Sequence, residues 1–364
     1  QALDDAGRLS FFQMLLNDYG PDMQTLDRAV QAYQKAPGQE TAFALALAAE
    51  PGRQGLIRAI NMAPGGTAAV VAMRKQLLGL LRAHPELVPV EADFAHLLNS
   101  WFNRGFLTLE QIDWRTPAMV LEKIISYEAV HEIQGWDDLR RRLAEDRRCF
   151  AFFHPALPEE PLIFVEVALL NGIADKVQPL LELDGAIGDA AKADTAIFYS
   201  ISNCQEGLKG ISFGNFLIKQ VVAHLRQDLP NVKTFATLSP IPGFGAWLAA
   251  ARANGDPVLG DLPENPPLNE ESDFKDDLVR LAAHYLVHEK SKGRPLDAVA
   301  RFHLGNGARI ERINWMGDTS ERALRQSSGM LVNYLYDLRK IENYHEAFVN
   351  EGVVACSKSV QNLL

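Results

Sequence analysis

The chain has 364 residues, too many for one ordinary hydrophobic core, so its length predicts two domains. Apolar residues make up 47% and charged residues 23%, as in an ordinary globular protein. The net charge of −10, without any block rich in lysine and arginine, argues against a nucleic acid or an anionic membrane as the main partner.

Other features of the whole chain narrow its setting. No apolar run reaches about eighteen residues, so we expect no membrane-spanning segment. The start, "QALDDAGRLSFF", lacks the pattern of a signal peptide, and the end, "QNLL", is not a peroxisomal SKL signal. Three widely spaced cysteines form neither a disulfide framework nor a CxxC metal knuckle. We therefore expect a reducing compartment, the cytoplasm.

The first part of the chain has the pattern of a helical bundle. "SFFQMLLNDYG" is expected to begin after an N-cap at Ser10 and to stop at Gly20. "TAAVVAMRKQLLGLLRAH" has apolar residues at helical spacing from Val70 to Leu81, and "DFAHLLNSWFNRGF" is similar. Alternating β-branched runs are missing, so we predict an all-helical first domain.

Strands and helices mix after Leu107. "EQIDW" can form a short strand, and Thr116-Pro117 is a favourable N-cap and first position for the helix "AMVLEKIISYEAV". "WDDLRRRLAED" and "NFLIKQVVAHLRQDL" are predicted helices. Predicted strands are "CFAFFHP", "PLIFVEVALL", "TAIFYSIS" and "ARIERINW". "SERALRQSSGMLVNYLYDLRKI" is predicted to be one helix, capped at Thr319 or Ser320. The mixture indicates an α+β or α/β second domain.

A glycine-containing loop, "EGLKGISFG", stands between a predicted strand and a predicted helix. Its glycines let the backbone approach a ligand, and the N-terminus of the following helix favours a phosphate. The loop matches neither GxGxxG nor GxxxxGK[ST], so a dinucleotide fold or P-loop is not indicated. An ordinary strand-to-helix turn explains the pattern equally well.

Two further residues have a place typical of chemistry. Ser239 ends the strand-like run "TFATLSPIPGF", where Pro240 favours extended geometry, although both are also common turn residues. His303 ends the helical run "LDAVARFHL" before a glycine turn, a position suited to a general acid or base and equally to a packed histidine. His284 and His288 share a helix face, but no third ligand is evident, so we do not predict zinc.

Several stretches together resemble one family. "FYSISNCQEGLKGISFGNFLIKQVV", "LSPIPGF", "FHLGNGARIERINWMGD" and "SSGMLVNYLYDL" look like malonyl-CoA decarboxylase, in order and in spacing. The resemblance covers most of the chain from about Leu107 onward. It implies an α+β fold class: a helical domain, 1–104, that takes part in self-association, and a catalytic domain, 105–364, with the fold of the GNAT acetyltransferases.

The resemblance also implies a site. The family converts malonyl-CoA into acetyl-CoA and CO2 with a serine and a histidine, which fall on Ser239 and His303. A supporting serine and tyrosine fall on Ser200 and Tyr336. The loop for the CoA pyrophosphate falls on Lys209, Gly210, Ile211, Ser212, Phe213, Gly214 and Asn215.

Elementary chemistry is consistent with this site. Loss of CO2 from a malonyl thioester leaves an enolate, so the thioester is its own electron sink and we expect no cofactor. Ser239 can hold the carboxylate or relay a proton with His303, and the sequence does not separate these roles. Two alternatives stay open: an acyl-CoA-dependent acyltransferase on the same fold, and a non-catalytic protein that binds a CoA thioester.

Overall fold

The structure is a computed structural model that describes residues 3–211 and 217–364. Its internal contacts divide the chain into two compact units. The first comprises Gln1–Thr108, Phe153–Leu162 and Asn203–Gly214, and the second comprises Leu109–Phe152, Ile163–Ser202 and Asn215–Leu364. Within the described ranges, no helix is both long and apolar enough to cross a membrane.

The N-terminal part of the first unit is helical, as predicted. Its helices are α1 (Asp5–Asn17), α2 (Met23–Lys35), α3 (Gln39–Ala49), α4 (Gly52–Met62), α5 (Gly66–Leu80) and α6 (Val88–Trp101). Phe12, Ile57, Leu77 and Phe94 are buried in its core. The predicted N-cap at Ser10 is wrong: α1 begins earlier because the Asp4 carboxylate accepts the Gly7 N–H at 2.8 Å.

The second unit is built on a mixed sheet. Its elements are β1 (Thr108–Ile112), α7 (Ala118–Tyr127), α8 (Trp136–Arg142), β2 (Arg147–Phe153), β3 (Ile163–Leu170), α9 (Gln178–Leu181), β4 (Thr195–Asn203), α10 (Leu217–Asp228), β5 (Thr234–Thr237), β6 (Ser239–Pro240), α11 (Phe244–Ala253), α12 (Lys275–Val287), β7 (Lys290–Ser291), β8 (Arg294–Pro295), α13 (Ala298–Gly305), β9 (Arg309–Asn314), α14 (Glu321–Ser327), β10 (Leu331–Leu335), α15 (Ile341–Glu351) and α16 (Lys358–Gln361). The strand order is β1-β2-β3-β4-β5-β10-β6, with β9 also paired to β10. The expected layout, a helical N-terminal part followed by a mixed α/β sheet domain, is confirmed.

Strands β4 and β5 are parallel neighbours, and their register brings the site together. Phe198 is the partner of Thr237, and the Leu238 N–H then donates to the Phe198 carbonyl at 2.9 Å. Beyond this point Ser239 pairs instead with Val332 of β10. The chain of β5 therefore continues into β6 along β10.

One face of the sheet is a dry core that contains Ile197, Tyr199, Ala236, Leu238 and Leu331. Side chains alternate between the two faces of a strand, so the neighbours of these residues project from the other face. Ser200 on β4, Thr237 at the end of β5 and Ser239 on β6 belong to that other face. Alternation along these strands thus separates core residues from polar ones.

Two local predictions are wrong. The segment after Thr319 is not one helix: α14 ends at Ser327, because Ser328 and Gly329 adopt left-handed backbone with φ of 51° and 76°, and β10 follows. Tyr336 therefore follows a strand instead of lying on a helix. Thr116 does not cap α7, since Pro117 occupies that position and the Thr116 hydroxyl accepts the Asp113 N–H.

Candidate active site

Ser239, His303 and Tyr336 form a continuous hydrogen-bonded chain. Ser239 Oγ lies 3.1 Å from His303 Nε2, and His303 Nδ1 lies 2.8 Å from the Tyr336 hydroxyl. At its other end the chain reaches Thr237, whose Oγ1 accepts from Ser239 Oγ at 2.9 Å. Three residues that the sequence places far apart thus meet side by side.

The direction of the chain depends on the imidazole tautomer. A neutral imidazole has one donor and one acceptor nitrogen. When Tyr336 donates to Nδ1, the Nε2–H donates to Ser239, which in turn donates to Thr237. When the Nδ1–H donates to Tyr336, Nε2 accepts the hydroxyl proton of Ser239. The chain can therefore move a proton toward either end.

Burial keeps this chain neutral. His303 is 2% exposed, Ser239 6% and Tyr336 2%. Desolvation lowers the pKa of His303 to about 3 and raises the pKa of Tyr336 well above its ordinary value. The Tyr334 ring stacks on the imidazole, with centroids 4.6 Å apart. In the free protein, His303 is consequently an uncharged imidazole at neutral pH.

Local sequence explains how the two main side chains are held. Asp297 caps α13 by accepting the Ala300 N–H at 2.8 Å, and His303 lies in the last turn of this helix, as the sequence predicts. Gly307 then ends the helix with φ of 82°, and a Cβ there would lie 2.1 Å from the Ile341 carbonyl oxygen. The segment after Ser239 is also closely packed. A Cβ on Gly243 would lie 2.2 Å from the Tyr285 hydroxyl oxygen, so a residue without a side chain fits there.

Ser200, the predicted supporting serine, has a different partner. Its Oγ donates to both carboxylate oxygens of Glu128, each at 2.8 Å, and Ser202 Oγ donates to the same carboxylate at 3.2 Å. Ser200 and Ser239 each stand two residues beyond Phe198 and Thr237, the last residue pair between β4 and β5. The Glu128 carboxylate thus lies beside Ser200 and Ser202 at the end of β4.

Glu128 is a candidate site residue that the sequence analysis missed. It is 7% exposed and also accepts the N–H groups of Val130 and His131 at 2.7 and 2.8 Å. Glu128 falls inside the predicted helix "AMVLEKIISYEAV", but α7 ends at Tyr127 and Glu128 is the C-cap. No local signal marks it, because its side-chain partners, Ser200 and Ser202, come from β4.

The loop that carries Glu128 is fixed from outside. Arg142 donates to the His131 carbonyl at 2.9 Å and pairs with Glu166 at 2.7 Å, with all of these groups buried. Arg322 donates to the Ala129 carbonyl at 2.6 Å. The predicted helix "WDDLRRRLAED" therefore contributes a buried arginine that anchors this loop, which its charged sequence did not indicate.

The predicted CoA loop is described only at its start. Glu206–Leu208 forms a single helical turn, and the Ile211 N–H donates to the Leu208 carbonyl at 3.0 Å. Gly210 has φ of 78°, a conformation that favours glycine. Lys209 and Gly210 are exposed. Ser212, Phe213, Gly214 and Asn215 lie outside the described residues.

His284 and His288 lie side by side at the C-terminal end of α12. His284 and His288 have ring centroids 5.1 Å apart, and His284 Nε2 lies 3.4 Å from Glu289. Across residues 3–211 and 217–364, no group of three or more histidine, cysteine, aspartate or glutamate side chains is placed to hold a metal ion.

Comparisons with known proteins point in one direction. Family models described as malonyl-CoA decarboxylase N-terminal domain and C-terminal domain match residues 19–102 and 105–364. The mitochondrial malonyl-CoA decarboxylase of Anser anser anser is 36% identical over 397 residues, covering 97% of this chain and 79% of the relative. The crystal structure of malonyl-CoA decarboxylase from Rhodopseudomonas palustris is 51% identical, with a TM-score of 0.94 over 99% of this chain and 91% of that one. The crystal structure of the enzyme from Agrobacterium vitis is 50% identical, with a TM-score of 0.90 over 99% of this chain and 91% of that one.

Proposed function

Because this chain belongs to the malonyl-CoA decarboxylase family, we propose that it is a carboxy-lyase that converts malonyl-CoA into acetyl-CoA and CO2. The observation that carries this proposal is the buried hydrogen-bonded chain of Ser239, His303 and Tyr336. These are residues for which the family resemblance implies a catalytic role. Neither the acyltransferase nor the non-catalytic alternative has an observation in its favour.

The reaction breaks the bond between the carboxylate carbon and the α carbon of the malonyl group. The electron pair moves onto the thioester, which becomes an enolate, and a proton then adds to the α carbon. The thioester accepts the electrons itself, so the proposal includes no cofactor. The protein must orient the carboxylate, stabilise the enolate oxygen and deliver the proton.

We assign proton delivery to His303. In the free protein its imidazole is neutral because burial lowers its pKa to about 3. A malonyl carboxylate bound at the Ser239 end brings a negative charge next to the ring, which favours the imidazolium. Binding of substrate therefore raises the pKa of His303. Loss of neutral CO2 then moves the negative charge onto the enolate, whose α carbon takes up the proton.

Ser239 has two candidate roles that kinetics can separate. As a carboxylate ligand, it would contribute to binding malonyl-CoA but not acetyl-CoA, so Ser239→Ala would raise KM and leave product inhibition by acetyl-CoA unchanged. As a proton relay, it would act after binding, so the same variant would lower kcat with little change in KM.

We assign Ser200 and Glu128 a supporting role at the sheet edge. The carboxylate holds two hydroxyls of β4 and two backbone N–H groups of its own loop. A group with so many fixed partners is suited to keeping the end of β4 in one geometry. The substrate thioester would lie along this edge.

The site variants test these assignments. His303→Asn and Ser239→Ala should each lower kcat/KM for malonyl-CoA by about a hundredfold or more while the fold persists. Ser327→Ala is the matched control, since Ser327 is as buried but donates to the Ala323 carbonyl. A near-normal kcat/KM in either site variant would remove that residue from the mechanism.

We also propose that the helical domain, 1–104, mediates self-association. Phe43 and Leu47 on α3 are 66% and 57% exposed, and Met23 on α2 is 60% exposed, so these helices present apolar surface. Light scattering after size exclusion should give a dimer or larger, and Phe43→Glu with Leu47→Glu should give monomer. A wild-type monomer would contradict the proposal.

We propose that the protein is located in the cytoplasm, because its three widely spaced cysteines form no disulfide framework. Cell fractionation tests this location.

A further inference from the structure

A buried arginine on helix α5 holds the turn from which the predicted CoA loop begins. Arg74 Nη1 donates to the carbonyl oxygens of Gly207 and Lys209 at 2.8 and 2.9 Å. Arg74 is 3% exposed. These residues belong to one unit, the first, in which α5 packs against the turn Glu206–Leu208.

The guanidinium is itself fixed in place. Arg74 Nη2 and Nε donate to Glu91 Oε1 of helix α6 at 2.7 and 3.1 Å. Arg74 therefore has its charge compensated on one side and directs its remaining donors at two backbone carbonyls. Carbonyls in such a turn have no strand or helix partner, so a rigid donor determines where they point.

The backbone of α5 also touches the turn directly. A Cβ on Gly207 would lie 2.0 Å from the Val71 carbonyl oxygen, so glycine is required there. The adjacent Lys75 pairs with Glu206 at 3.1 Å on the surface. One face of α5 thus fixes Glu206, Gly207 and Lys209 at successive points.

We propose that Arg74 is a positioning residue for CoA binding: it holds the start of the pyrophosphate loop in its binding geometry. The proposal rests on the proposed function, which assigns Lys209 and the residues after it to CoA. The helical part of the chain would then set the affinity for the substrate's nucleotide end as well as mediating self-association.

Arg74→Lys tests this assignment. Lysine keeps the charge opposite Glu91, but a single ammonium cannot reproduce the fork that reaches Glu91 and both carbonyls. Arg53→Lys is the matched control, because Arg53 is 6% exposed, pairs with buried Asp93 in the same unit, and directs its other donors at the Leu15 and Pro89 carbonyls.

A comparison of two substrates, malonyl-CoA and malonyl-pantetheine, shows whether Arg74 acts through the loop for the pyrophosphate. Malonyl-pantetheine has the reacting thioester but no pyrophosphate, so it does not use the loop. We expect Arg74→Lys to raise KM for malonyl-CoA about tenfold with kcat nearly unchanged, and to leave malonyl-pantetheine turnover unchanged. Arg53→Lys should change neither substrate. Equal losses on both substrates, or no change on malonyl-CoA, would overturn the proposal.

Direct binding keeps the test independent of catalysis. Calorimetry with free CoA should give about a tenfold weaker Kd for Arg74→Lys than for wild type and Arg53→Lys. If wild type binds CoA without decarboxylating malonyl-CoA, the proposed function fails, while the comparison of CoA affinities still decides the role of Arg74.

A second variant is available if Arg74→Lys does not fold. Gly207→Ala displaces the same turn and should weaken CoA binding in the same way. Unchanged CoA affinity in Gly207→Ala would contradict the proposal.

Discussion

The neutral, buried state of His303 has a measurable consequence for stability. Burial lowers its pKa from 6.5 to about 3 in the folded protein. Between these two pH values, the residue is protonated in the unfolded chain but not in the folded protein. The free energy of unfolding therefore decreases as the pH falls below 6.5. His303→Asn removes this titration while keeping a polar group that can reach Tyr336.

The size of the effect follows from the shift. Where the two states differ by one bound proton, the free energy of unfolding changes by about 1.4 kcal/mol per pH unit. Between pH 7.5 and pH 5, wild type should therefore lose about 2 kcal/mol more unfolding free energy than His303→Asn. Other histidines with lowered pKa values, such as His131, are common to both proteins and cancel in the difference.

Urea denaturation at a series of pH values measures this difference. The free energies of unfolding of wild type and His303→Asn should converge, or cross, as the pH falls from 7.5 to 5. Ser327→Ala, which removes no titratable group, is the control, and its curve should run parallel to wild type. Parallel curves for His303→Asn would refute the claim that the folded protein keeps this imidazole neutral.

Two further predictions concern the partners of the site. Tyr336→Phe removes the hydroxyl 2.8 Å from His303 Nδ1 and should lower kcat about tenfold or more with little loss of stability; unchanged kcat would show that the hydroxyl does not orient the imidazole. Glu128→Gln keeps the shape of the side chain but replaces one acceptor oxygen by an NH2 donor that faces Ser200 and Ser202. We expect the variant to lose about 1–3 kcal/mol of unfolding free energy, measured by urea denaturation, and to turn over malonyl-CoA more slowly. Full activity would contradict a supporting role.

The sequence predicts the parts of the site whose signals are local. Strand-like runs placed β4 and β5, and the glycine turn marked the end of α13 after His303. These signals follow from backbone geometry over a few residues, so they do not depend on the rest of the fold. The strand end expected at Ser239 is wrong, because β5 ends at Thr237 and Ser239 begins β6. Contact between Ser239 and His303 came only from the family resemblance, because no local pattern fixes a pair 64 residues apart.

The parts that the sequence missed depend on tertiary contacts. "MLVNYLYDL" fits helical spacing, but β10 is a strand because its backbone pairs with β5, β6 and β9. Glu128 and Arg142 lie in predicted helices whose sequences give no sign of burial. In the structure, both residues are buried in hydrogen-bond networks. Arg74 is likewise a helical arginine whose role is visible only once Gly207 and Lys209 fold against α5.

Purified protein incubated with malonyl-CoA alone, in D2O, tests the central claim most directly. The proposed mechanism predicts equal amounts of CO2 and acetyl-CoA, with one solvent deuterium in each acetyl methyl group and no free CoA, because an exchangeable group of the protein protonates the enolate. Absence of CO2, or release of free CoA with malonate, would contradict it.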